Sequence, residues 1–265
     1  KLNMEVHYNK ARIFVVLKYV YMILSVVLLL LTFSENLKAK KSVKLTRITN
    51  ILFGVLAVAF LYHTYGMGLR WYIAGHAPWS NGYESLILVA WGGLLAGFMF
   101  VKYSRITLAA TALLAFFVLL TAGFSTYDPK LTPLVPVLDS YWLIIHVAAM
   151  VVSYGFLGIG FVLGIINLFL YLFKKPHNKV RINLTIKELT NINEINIQIG
   201  LFLAVAGTFL GAIWANESWG RYWGWDAKET WALIIIFVYA IITHMRHLPK
   251  FNDALIFNIG SIIGF

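Results

Sequence analysis

The sequence predicts an all-α fold, a polytopic transmembrane helical bundle. Three observations carry that prediction. First, 60% of the 265 residues are hydrophobic and only 12% are charged, with a mean hydropathy of +0.76. A soluble domain is usually about 45–50% apolar and about 25% charged. Second, the apolar residues fall in runs long enough to cross a bilayer, which takes about 20 residues per helix. Third, the basic residues gather between those runs. The net charge of +11 therefore reflects membrane topology, and nucleic acid is excluded as a partner. With no cysteine in the chain, disulfides, thiolate ligands and a cysteine nucleophile are excluded too.

Eight apolar segments follow in order, at roughly 12–33, 47–68, 83–101, 106–124, 141–173, 196–214, 230–246 and 254–265. The fifth exceeds the bilayer thickness and is expected to tilt or protrude. The eighth is too short to span and reads as a helix that the chain leaves unfinished, since a half-span strands backbone groups in lipid. Lys1 follows no start methionine and no signal peptide precedes the first run. The expectation is a single membrane domain over 1–265 that is part of something longer. Gly160 with Gly164, and Gly207 with Gly211, have the small-xxx-small spacing that lets membrane helices approach closely.

Alternate loops assign the orientation. One side carries Lys38, Lys40, Lys41, Lys44, Arg47, Lys102, Arg105, Lys174, Lys175, Lys179, Arg181, Lys187, Arg246 and Lys250. The other carries Arg70, Lys130, Arg221 and Lys228. The positive-inside rule places the first side in the cytoplasm. The N-terminus then lies outside despite Lys1, Lys10 and Arg12, which a long exported preceding segment reconciles.

Of the nine tryptophans, at 71, 79, 91, 142, 214, 219, 223, 225 and 231, all but Trp91 fall on the outer side. An interfacial aromatic belt decorates both membrane faces, and the cytoplasmic loops have none. Large flat side chains on one face instead suit a large, flat, apolar ligand. Their centre is an outer loop at 215–231. It reads Trp219-Gly220-Arg221-Tyr222-Trp223-Gly224-Trp225-Asp226, then Lys228-Glu229-Thr230-Trp231. Gly220 and Gly224 permit tight turns between bulky rings. Asp226 either caps the following helix or meets the ligand. Arg221 and Lys228 either offer positive charge to a ligand carboxylate or anchor the interface.

The run Trp-Gly-x-x-Trp-x-Trp-Asp resembles the signature of the tryptophan-rich haem-handling (WWD) membrane proteins of cytochrome c maturation. Arg70-Trp71-Tyr72-Ile73-Ala74-Gly75-His76-Ala77-Pro78-Trp79-Ser80-Asn81, Tyr83-Glu84, Ser140-Tyr141-Trp142 before His146-Val147, and Lys228-Glu229-Thr230-Trp231 resemble its CcsA branch, the system II cytochrome c synthases. The likeness runs from about residue 50 onward. The outside N-terminus suits the fused CcsBA form, in which a CcsB portion precedes this one.

The resemblance implies a specific activity. Such proteins take haem b as substrate from the cytoplasmic side of the bacterial inner membrane. They present it outside to an apocytochrome c bearing a C-x-x-C-H motif. The apocytochrome's thiols add to the haem vinyl groups, a holocytochrome c synthase (haem lyase) reaction, so the absence of cysteine here fits. The resemblance makes His146 the first outer axial ligand to the haem iron and His244 a ligand at an inner site. Trp142, Trp219, Trp223, Trp225, Trp231, Asp226 and Arg221 are the expected haem-binding neighbours. By helical spacing Trp142, His146, Ala149 and Ser153 share a face. His244 lies about 20 Å along a helix from Trp231, toward the cytoplasm, and His247 competes for its role. His63 and His76 either are structural or line the outer site; His7 and His177 read as solvated. The family's second outer histidine falls beyond the chain's end, and the inner site's second belongs to the CcsB portion.

Three alternatives stand beside the synthase. A transmembrane b-type cytochrome needs paired histidines at one depth, which His146 and His244 do not provide. A haem exporter without synthase activity differs only in its dependence on the apocytochrome thiols. A structural assembly protein has no use for His244.

Overall fold

The computed structural model describes residues 1–37, 42–124, 126–131, 140–176 and 178–265. Lys38, Lys40, Lys41 and His177, all used in the sequence reading, lie outside them. Nine helices occur among the described residues, and no strand. They are α1 (Leu2–Ala11), α2 (Ile13–Leu37), α3 (Val43–Ala74), α4 (Gly82–Phe100), α5 (Arg105–Ala122), α6 (Tyr141–Leu172), α7 (Lys179–Trp219), α8 (Ala227–Met245) and α9 (Ala254–Ile263). Seven spans are long and apolar enough to cross a membrane, with α1 and α2 forming one of them. The chain is a multi-pass helical membrane protein.

Five of the eight predicted segments match their helices closely at both ends, and three differ instructively. The first segment is preceded by a polar helix, α1, separated from α2 by Arg12 in the left-handed region (φ 43°). The second continues to Ala74 and so takes Arg70 out of the loop to which the sequence assigned it. The sixth begins at Lys179 instead of near 196. Residues 179–195 contain Asn, Lys and Glu and read as a cytoplasmic loop. They nevertheless bury Ile182, Ile186, Leu189 and Asn193, an i, i+4, i+7 stripe, continued by Ile197, that one helix face delivers to the core. Lys179, Arg181 and Lys187 therefore stand on a helix.

Helix α6 is the hub. It packs most extensively against α7 and also meets α4, α5 and α9. Small residues allow this: a Cβ added at Gly164 would stand 2.8 Å from the Asn258 carbonyl oxygen of α9, and one at Gly207 would stand 2.8 Å from the Met150 sulfur. The close contacts expected of both glycine pairs are present. A buried amide network joins the same helices. Asn167 and Asn193 donate to Asn258 Oδ1 at 2.9 and 3.2 Å, and Asn258 donates to Thr190 Oγ1 at 2.9 Å. Such interhelical bonds supply orientation that apolar packing in lipid does not.

Candidate functional site: a tryptophan-walled cavity with one histidine

A cavity of about 710 Å³ opens between α6, α7, the 220–226 loop and the start of α8. That volume lies within the range of small-molecule sites, roughly 300–1,000 Å³. Helix α6 contributes His146, Met150 and Tyr154, spaced i, i+4, i+8. Trp214 and Trp219 come from α7, Tyr222 and Trp223 from the loop, and Trp231 from α8. The Trp214 and Trp219 rings meet edge to face at 4.7 Å. The indole nitrogens of Trp214 and Trp223 are buried and have no hydrogen-bond partner. Buried donors are normally satisfied, and these two residues of the cavity wall depart from that rule.

The local sequence folds the loop in a definite way. Gly220 ends α7 in the left-handed conformation (φ 71°), which a residue without a Cβ adopts at least cost. Asp226 Oδ1 accepts from the Glu229 backbone N–H at 2.8 Å. Glu229 Oε2 accepts in return from the N–H groups of Gly224 at 2.7 Å and Asp226 at 3.3 Å. This capping box starts α8. The Glu229 carboxylate thereby clamps the residues on either side of Trp225, a non-glycine residue held at φ 57°, where bulky side chains are strained.

His146 is half-buried, and its Nδ1 lies 2.7 Å from the Gly207 carbonyl oxygen of α7. A carbonyl only accepts, so Nδ1 carries the hydrogen and the neutral ring presents its lone pair at Nε2. That is the arrangement that orients histidine as a metal ligand. The ring lies directly on Gly211, where a Cβ would stand 2.6 Å from Cε1. Gly207 and Gly211 thus fix the ring as well as the helix packing. The sequence signal for that was their one-turn spacing, which by itself spoke only for close packing.

The structure brings together His146, Trp219, Trp223, Asp226 and Trp231 around this cavity. The other four expected site residues, Trp142, Arg221, Trp225 and His244, do not line it. Trp142 is not in the wall; its ring meets Tyr141 edge to face. The α6 face turned to the cavity runs 146, 150, 154, while Ser153 is buried in the core. Arg221 is also outside the wall. Its guanidinium sits over the Trp219 ring at 5.8 Å and covers Gly224, and the cation lining the cavity is Lys228. Trp225 is 70% exposed and meets Trp223 edge to face. His244 occupies the far end of α8, about 25 Å along the helix from the cavity residue Ala227, and is exposed. Its Nδ1 donates to the Ala240 carbonyl at 2.7 Å, so it too presents Nε2. The 215–231 loop is shorter than expected, since 215–219 and 227–231 are helical.

The other histidines separate cleanly. His63 is fully buried mid-helix in α3, its Nδ1 3.2 Å from the Tyr21 hydroxyl, and does not line the cavity. His76 in the 75–81 loop contacts the Ala77 carbonyl and does not line the cavity. Among the described residues no group of three or more His, Cys, Asp or Glu could hold a metal ion. Among the described residues His146 is the one histidine that lines the cavity.

The motif around Arg70 has a physical role that the sequence did not disclose. Arg70 is 1% exposed. Its Nε donates to Glu84 Oε1 at 2.7 Å, and its Nη atoms donate to the Tyr8 hydroxyl and the carbonyls of Pro129 and Lys130. Glu84 Oε2 accepts from Ser80 N. Nearby, Trp79 Nε1 donates to the Ile144 carbonyl at 3.1 Å, in the turn preceding His146. The cluster ties the 75–81 and 126–131 segments to the helix ends beside the start of α6.

Residues 79–264 match the family described as "Cytochrome C assembly protein". The chain belongs to the cytochrome c assembly protein family. It is 43% identical over 266 aligned residues to Protein NrfI of Wolinella succinogenes, covering the whole of this chain and 29% of that protein. It is 36% identical over 227 residues to cytochrome c biogenesis protein CcsA of Guillardia theta, covering 77% of this chain and 75% of the relative. For CcsA of Chlamydomonas reinhardtii the identity is 38% over 216 residues, with 78% and 58% covered. The chain therefore spans less than a third of NrfI and about three quarters of the Guillardia relative. In this cytochrome c assembly protein the family match takes in α4 to α9 and the whole cavity.

Proposed function

We propose that this protein carries haem b across the bacterial inner membrane and holds it, as substrate, in the tryptophan-walled cavity on the outer face. There an apocytochrome c with a C-x-x-C-H motif acquires it through two thioether bonds. The observation that carries this reading is the pairing of one oriented histidine with a flat aromatic enclosure. His146 offers Nε2 to iron because Gly207 occupies its other nitrogen. The tryptophans bury the macrocycle, and Lys228 suits a haem carboxylate. The chain supplies position only; the reacting thiols and vinyl groups belong to the two substrates. His244, exposed at the opposite end of α8, serves an inner site that a CcsB portion completes. A single haem shared by His146 and His244 has no support, because His244 is remote from the cavity.

The test is a visible spectrum with pyridine haemochrome assay on the full-length gene product purified in mild detergent. The expected result is a reduced b-type spectrum. Trp223→Phe replaces the indole of the cavity wall with a smaller aromatic ring, and it is expected to lower haem retention several-fold. Gly211→Ala pushes on the His146 ring and is expected to lower outer-site haem roughly tenfold, within the range for residues that orient a metal ligand. A well-folded full-length protein from haem-replete cells that carries no haem overturns the proposal.

A further inference from the structure

A second cavity, of about 520 Å³, lies at the opposite end of the bundle, where the lysines and arginines concentrate. It is bounded by the end of α6, the first half of α7 and the turn between α8 and α9. Its polar wall includes Lys174, Lys187, Arg246, Asn183, Asn191 and Asn252. Three cations from three separate segments thus face one space, with amide groups between them. Asn183, Lys187 and Asn191 repeat every four residues along one face of α7.

Arg246 is held in place. Its Nε donates to Glu194 Oε2 at 3.0 Å and its Nη1 to Asn252 Oδ1 at 3.0 Å. The guanidinium lies over the Phe257 ring at 5.2 Å. Glu194 offsets the charge of Arg246, and Asp253, which also lines the cavity, is engaged as the cap of α9. Among the described residues Lys174 and Lys187 form no salt bridge, so the cavity keeps unneutralised positive charge. Exposed apolar residues adjoin the lining residues in sequence: Leu172 and Phe173 lie between Tyr171 and Lys174, and Leu184 follows Asn183.

We infer that this cavity binds the phosphate of an anionic phospholipid. Ammonium, guanidinium and amide donors converging on one space match phosphate oxygens. Basic pockets between membrane helices on the positively charged side take such headgroups. The exposed leucines and phenylalanine give acyl chains a surface, which a free anion does not need. The site is separate from the tryptophan-walled cavity and does not depend on the proposal made for it.

The experiment uses the full chain, purified and delipidated in detergent, with mixed micelles of phosphatidylglycerol or phosphatidylcholine. Native mass spectrometry reads retained lipid, and a thermal melt reads protection. Phosphatidylglycerol is expected to bind saturably and raise Tm, and phosphatidylcholine to do neither. The double variant K174Q/K187Q is expected to melt like the wild type without lipid and to bind phosphatidylglycerol roughly tenfold or more weakly. Equal binding by the variant, or equal protection by phosphatidylcholine, overturns the inference. Protection by inorganic phosphate alone assigns the cavity to a free anion and overturns the lipid assignment. Loss of haem from the variant with lipid binding unchanged overturns it as well.

Discussion

Replacing His146 with alanine is expected to lower outer-cavity haem and holocytochrome c yield by well over tenfold, with partial recovery on adding imidazole. The reasoning runs through the ring's two nitrogens. Groups that only orient a metal-bound histidine are worth roughly 10–100-fold in affinity, and here the ligand itself is removed. Imidazole fits the vacated space beside Gly211 and restores a nitrogen at nearly the same point. Gly207 remains to accept its N–H. The fold tolerates the change, since His146 is half-buried and makes a single hydrogen bond. Cytochrome c yield that stays at the wild-type level without imidazole removes His146 from the proposed role.

Arg70→Ala is expected to destabilise the protein by about 3–5 kcal/mol, the cost of leaving one member of a buried ion pair unpaired. Glu84→Ala should act similarly, because it strands the guanidinium and frees Ser80 N together. Arg70 also satisfies Tyr8 and the carbonyls of Pro129 and Lys130, so Arg70→Lys, with one donor group in place of a planar fork, should recover only part of the loss. Replacing both partners with Met and Leu should cost less than either alanine change, since no buried charge remains. A melting curve in detergent checks each variant. An Arg70→Ala protein that melts with the wild type shows that the cluster contributes little.

Much of the fold was legible because lipid imposes a single demand, an unbroken apolar helix, and most segment boundaries follow from it. What the sequence hid was of another kind. Residues 179–195 are helical through a narrow stripe, Ile182 to Ile197, that a polar average masks. Arg70 looked like a loop charge because its partners, Glu84 and the 129–130 carbonyls, lie 14 and about 60 residues away. At the cavity, the tryptophan motif marked where an aromatic wall lies, and the aspartate's capping role was readable from Glu229 three residues on. The inward face of α6 was misjudged by a fraction of a turn, which exchanged Met150 and Tyr154 for Ala149 and Ser153. The fixing of His146 by Gly207 and Gly211 was invisible, because residues without side chains declare a contact only when the opposing helix is in place.

Helix α7 runs unbroken from Lys179 to Trp219, about 60 Å at 1.5 Å per residue. Near one end stands Lys187 of the basic cavity, and at the other Trp219 of the aromatic one. A stiff rod of that length is a lever with its fulcrum where Gly200 and Gly207 press against α6. Tilting it by about five degrees around its midpoint swings each tip by about 2.6 Å, comparable to the thickness of an aromatic ring. A displacement of the Lys187 end is therefore shared, through one continuous backbone, with the Trp219 end.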